Sequence, residues 1–217
     1  VNASLLYDLF ELMDRRSPQK TAHELARSMN SLTFSPFYNR LKMLGTKEAG
    51  QDKATLSQGT FAQSVIGLYS KYPFKDKDKM YNGEEIDEHD GTVLRHYFVY
   101  GKDDIILKIL LNCFTALSEV FKREWDNPKE NILCKTTGFC SIIKALPKII
   151  EKGYEYQNLT KDYFYKYFVK VSEYFETERL SFSSEQFGSG EAAQDNLAQK
   201  ILMPLNTFTY TDSDTNK

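Results

Sequence analysis

Three histidines (His23, His89, His96) and three cysteines (Cys113, Cys134, Cys140) are the side chains best suited to metal ligation or nucleophilic attack. No two histidines stand at ligand spacing with a carboxylate or a thiol, and no CxxC occurs, so no metal site is expected. Six residues separate Arg16 from His23, a spacing that could serve general acid–base work on RNA, although Pro18 falls between them. No GxSxG, Walker A loop or HExxH is present, and no Ser/His/Asp or Cys/His arrangement supports a nucleophile. No catalytic residue and no cofactor are assigned.

Anion binding has more support. Lys135-Thr136-Thr137-Gly138 precedes an apolar helical pattern, and a helix start offers free backbone N–H groups beside hydroxyls and an ammonium. Gly188-Ser189-Gly190 precedes another helix, so Ser189 joins Lys135, Thr136 and Thr137 as a candidate. The simpler role for these hydroxyls is ordinary helix capping. Arg27, Arg40, Lys42 and Lys47 form the best candidate for a nucleic-acid-facing patch, within a first fifty residues that hold seven Lys or Arg against five Asp or Glu.

Elements of a helical chain must position these groups. The 217 residues are enough for a substantial core, and aromatics are frequent, with 15 Phe and 14 Tyr. The net charge of −2 argues against strong autonomous DNA binding and leaves room for a local patch. The few irregular cysteines suit a reducing cytoplasm, and no apolar run approaches the ~20 residues of a membrane span. Val1, not Met, opens the chain, as expected of a fragment.

Periodicity predicts a mainly α fold, a single helical domain over 1–205 of about seven to eight helices. Leu5, Leu6, Leu9, Phe10, Leu12 and Met13 pattern a first helix. Ser17 and Pro18 are the N-cap and first residue of a second, with Thr21 and Glu24 offering a competing capping box. Short alternating runs at 41–43 and 54–57 suggest a β-hairpin near 39–57. Ser57 caps the next helix. Residues 73–92 read as a mobile acidic loop, with Asp76, Asp78, Glu84, Glu85, Asp87, Glu88 and Asp90 set against Lys75, Lys77 and Lys79.

Further helices are expected over 103–125, 138–152 and 160–177, and after Gly190 to Pro204. Pro147 should kink or restart the second of these. The stretch from Trp125 to Phe139 joins two apolar helices, and 206–217 reads as a polar tail.

Several runs together resemble the DGQHR-domain proteins. These are Arg16-Ser17-Pro18-Gln19-Lys20-Thr21-Ala22-His23-Glu24-Leu25-Ala26, Ser35-Pro36-Phe37-Tyr38-Asn39-Arg40-Leu41-Lys42-Met43-Leu44-Gly45 and Thr55-Leu56-Ser57-Gln58-Gly59-Thr60-Phe61. Asn112-Cys113-Phe114-Thr115-Ala116, Trp125, Asn131-Ile132-Leu133, Lys135-Thr136-Thr137-Gly138-Phe139 and Gly188-Ser189-Gly190 follow in the same order. The resemblance implies a relative of the DndB and DpdB proteins of DNA-modification systems, which are associated with DNA binding and, in some members, ATP hydrolysis. It covers the C-terminal helical half. The Asp-Gly-Gln-His-Arg loop is absent, since Asp90-Gly91 runs on to Thr92-Val93, so no ATPase residue is transferred.

The function expected is therefore a DNA-associated regulatory or accessory module of a DNA-modification or phage-defence system, binding DNA weakly through a basic patch. Expected partners are DNA, the chain's own N-terminal DGQHR half and a homo-oligomer, with no membrane. The alternative is a protein-interaction or oligomerisation scaffold using the aromatic helix over 160–177. A ribonuclease of the HEPN type, using Arg16 and His23, is the remote alternative.

Overall fold

The computed structural model describes residues 15–43, 45–47 and 50–211. The helix expected over 4–13 lies outside the described residues. The fold is mainly α, with ten helices and one two-stranded parallel sheet among the described residues. More helices appear than expected because several are a single turn or little more.

Helix α1 (Pro18–Ser31) starts as its sequence requires: Ser17 accepts the Lys20 amide at 3.2 Å, and Pro18 occupies the first turn. Ala22, Leu25, Ala26 and Met29 form its buried face. The competing box is unused, since the Thr21 hydroxyl donates to Asp103 instead. In the last turn of α1, the Asn30 side chain accepts the Leu41 amide at 2.8 Å and holds the returning chain against the helix.

Strands β1 (Leu41–Lys42) and β2 (Leu56–Ser57) pair in parallel, Leu41 opposite Leu56. This corrects the expected hairpin. The alternating residues do pair, but the connection crosses over rather than turning tightly, a distinction that a period of two cannot register. Ser57 then caps α2 (Gln58–Ile66) through the Thr60 amide.

Residues 73–92 are not simply a loop. Helix α3 (Pro73–Tyr81) occupies the first part, and Asp76 and Asp90 are drawn to Arg95 of α4 (Arg95–Val99). The Arg95 guanidinium meets both Asp76 oxygens, at 2.5 and 2.9 Å, and donates to the carbonyls of Tyr69 and Asp87. Ser70 donates to the same carboxylate. Acidic residues that looked solvated from composition thus supply the acceptors that let an arginine be buried.

Helix α5 (Asp103–Val120) and the short α6 (Lys122–Asp126) divide the predicted 103–125 helix at Phe121. Helix α7 (Thr136–Glu155) runs through Pro147 without restarting, with Phe139, Ile142, Leu146, Ile149 and Ile150 buried. Helices α8 (Lys161–Thr177), α9 (Ser184–Phe187) and α10 (Glu191–Leu202) follow, then a 3₁₀ turn at Met203–Asn206. The closest helix pairs are α7 with α10, α5 with α8, and α1 with α2.

Phe37 sits at the middle of the core, edge-on to Phe61, Phe114, Trp125 and Phe139 at 5.0–5.9 Å between ring centroids. A second aromatic group corrects the expected polar tail. Phe208 is buried against Tyr156, Tyr163 and Tyr167, and Tyr210 packs beside them. Polar neighbours hid these two rings within a hydrophilic sequence.

Candidate anion-binding cleft

The stretch from Trp125 to Phe139 is held on every side. Trp125 donates to the Pro36 carbonyl, while its own carbonyl accepts from Arg40 at 2.9 Å and from the Cys134 thiol at 3.3 Å. Thr55 donates to the Cys134 carbonyl, and the Ile132 amide donates to the Phe182 carbonyl at 2.7 Å. Gly138 lets this loop cross the start of α7. A Cβ there would lie 2.6 Å from Leu133 Cα and 2.7 Å from its carbonyl oxygen. Backbone packing thus explains this glycine.

Those constraints shape a cleft of about 410 Å³, drawn from four separate segments. Lys42 of β1 and Lys47 come from the crossover, and Ala54 and Thr55 from its end. Ile132, Lys135, Thr136 and Thr137 come from the joint, and Ser184, Gly188 and Ser189 from the turn before α10. No carboxylate side chain lines it among the described residues. Six of the eight residues singled out from sequence as candidates for nucleic acid or anion contact meet here: Lys42, Lys47, Lys135, Thr136, Thr137 and Ser189.

The two helix starts differ from the capping expected of them. The residue before α7 is Lys135 and the residue before α10 is Gly190, and neither supplies a side-chain cap. Thr136, Thr137 and Ser189 are therefore not N-caps, and the first-turn amides lack the acceptors such hydroxyls would provide. Gly188 and Gly190 take φ of 76° and 87°, which places Ser189 on a turn that other residues would strain to adopt. Lys47 and Lys135 donate to the carbonyls of Asp52 and Lys129, at 3.1 and 3.2 Å. The Lys42 ammonium has no hydrogen bond or ion pair among the described residues.

Two candidates lie elsewhere. Arg40 does not line the cleft. Its guanidinium is tied to Asp126 and the Trp125 carbonyl, and its side chain is only 14 % exposed. Arg27 is exposed on α1 and does not line the cleft. Sequence reasoning missed Thr55 and Ser184, whose hydroxyls carry no signal until the fold brings them beside the lysines.

Of the ribonuclease pair, the arginine is tied into the fold. Arg16 is bound to Asp103 and the Phe98 carbonyl, with its guanidinium 4.2 Å from the Phe98 ring centre, while His23 is exposed on α1. Cys113 and Cys134 are poor nucleophiles: burial raises the Cys113 thiol strongly and pushes Cys134 up to about 12 despite nearby Arg40. Among the described residues no group of three His, Cys, Asp or Glu could hold a metal ion, and no helix is long and apolar enough to cross a membrane. The scaffold alternative loses the surface that suggested it, because Tyr163, Phe164, Tyr167, Phe168 and Phe175 of α8 are buried within the chain. What the cleft can do chemically is hold an anion by charge and N–H or O–H donors. No family model, curated protein or solved structure matches the chain.

Proposed function

We propose that the chain is a DNA-associated regulatory or accessory module of a DNA-modification or phage-defence system, as its DGQHR-type resemblance implies, and that it meets phosphate through this cleft. One observation carries the reading. Four of the family-like segments, those containing Lys42, Thr55, Lys135-Thr136-Thr137 and Gly188-Ser189, converge on one cleft that no carboxylate lines among the described residues, in a chain of net charge −2. Lysines and backbone amides engage phosphate without reading bases, so binding is weak, independent of sequence and sensitive to salt.

Fluorescence anisotropy with a labelled duplex at low salt tests this. With Lys42, Lys47 and Lys135 each meeting a phosphate, log K should fall against log salt with a slope of about −3. Replacing Lys42 and Lys135 together by Glu should abolish measurable binding while the fold is retained. Unchanged affinity in that variant rejects the reading.

A further inference from the structure

We infer that the turn from Phe34 to Tyr38 stacks on unpaired bases, so that the preferred nucleic acid is a single strand rather than a duplex. The inference rests on the DNA-binding reading above and specifies its substrate.

The turn is built to hold two rings in water. Phe34 and Tyr38 are 70 % and 47 % exposed and stand outside the core, while Phe37 between them is buried in it. Every amide hydrogen from Ser35 to Leu41 is bonded within the protein. Ser35 takes two of them, the Phe37 amide on its hydroxyl and the Tyr38 amide on its carbonyl. Asn30 takes two more, the Asn39 amide on its carbonyl and the Leu41 amide on its side chain. Asn39 has a φ of 56°, a left-handed conformation that Asn tolerates, and its side chain accepts from Gln51 at 3.4 Å. Rings carried by so fixed a backbone lose little freedom on meeting a ligand.

Flanking charge selects that ligand. Arg27 is exposed on α1, one helical turn before Asn30, which holds the far side of this turn. Lys42 of the cleft follows Tyr38 by four residues, so their Cα atoms are at most about 14 Å apart. Cations before and after the rings favour a polyanion over an apolar protein surface. Aromatic rings stack on any base, so their contribution is as independent of sequence as the phosphate contacts are. A duplex keeps its base faces within its own stack. Only an unpaired strand can offer them to Phe34 and Tyr38 while its phosphates reach Arg27 and Lys42.

The experiment is fluorescence anisotropy at low salt with three labelled ligands: a 12-nucleotide single strand, the same strand made abasic, and the corresponding duplex. The single strand should bind about tenfold tighter than the abasic strand or the duplex, the size of one or two base–ring stacks. Phe34→Ala with Tyr38→Ala should erase that preference, leave duplex and abasic affinity within twofold, and keep the melting temperature, since both rings are exposed. Tyr38→Phe should retain the preference, which separates stacking from a hydroxyl contact. Equal binding of the three ligands, lost on Lys42→Glu/Lys135→Glu, overturns the inference and leaves the DNA reading standing. A single-strand preference that survives the loss of both rings also overturns it. So does a wild-type dimer by light scattering that becomes a monomer in the double Ala variant with strand affinity unchanged, since the rings then serve self-association. Ring-dependent binding of the single strand that Lys42→Glu/Lys135→Glu leaves intact supports the inference and rejects the cleft as the phosphate site. No binding of any of the three rejects both.

Discussion

Arg40 and Asp126 clamp the start of the parallel sheet to the end of helix α6, with Nη2 2.9 Å from Oδ1, while the same guanidinium donates to the Trp125 carbonyl. Lys53 and Lys122 converge on the same carboxylate at 3.0 Å. Arg40→Ala should therefore lower stability by about 1–3 kcal/mol, since it leaves a carbonyl and a carboxylate short of a donor. Chemical denaturation reads the loss. DNA affinity of the folded variant should stay within twofold of wild type, which separates a clamp from a phosphate contact.

The Asp76–Arg95 pair predicts acid lability with a defined sign. Desolvation pushes the Asp76 carboxyl up, but hydrogen bonds from Arg95 and Ser70 together outweigh it and hold its pKa below the usual carboxylate value. The stabilisation is present above the ordinary carboxylate pKa of about 4 and is lost as pH falls through the depressed folded-state value. Asp76→Asn should cost about 3 kcal/mol at pH 7 by leaving the buried Arg95 with only Asp90, at 3.3 Å, as a charged partner. The variant should also show a shallower fall in stability between pH 5 and acid than wild type, measured as denaturation midpoint against pH. An unchanged slope would assign the acid sensitivity to other carboxylates.

Gly138 admits nothing larger. Gly138→Ala forces a methyl into the backbone at Ile132 and Leu133 and should destabilise by about 2–3 kcal/mol. Gly59 faces only open space and a distant hydroxyl, so Gly59→Ala, inside a helix, should instead stabilise by roughly 0.5–1 kcal/mol. Thermal melts of the two variants moving in opposite directions would confirm that Gly138 is required by contact.

Phe208 anchors the end of the described chain to α8 through Tyr163 and Tyr167 and to the end of α7 through Tyr156, 5.3–6.4 Å between ring centroids. Phe208→Ala should cost about 3 kcal/mol, the range for a buried aromatic truncated to a methyl. Truncation after Asn206 should cost at least as much. A truncated chain as stable as wild type would make the last segment dispensable.

Most of the architecture is legible in the sequence because helices bury stripes of regular period. The caps at Ser17 and Ser57 and the faces of α1, α5, α7 and α8 follow from local chemistry. What was illegible depends on partners far along the chain. Arg40 looks like a surface cation until Asp126 arrives from 86 residues away, and Asp76 looks solvated until Arg95 encloses it. Strand direction escapes because alternation is the same in parallel and antiparallel pairs. The cleft was legible as residues and not as a site: Lys42, Lys135 and Ser189 carry anion chemistry separately, and only tertiary packing makes them neighbours.

The bond from the Ile132 amide to the Phe182 carbonyl joins two of the four segments that wall the cleft. Because each wall already braces the other, an anion entering between them has little chain to immobilise. Affinity at this position then follows ionic strength and donor geometry rather than the entropy of loop ordering, and ligand exchange should be fast, without a slow conformational gate.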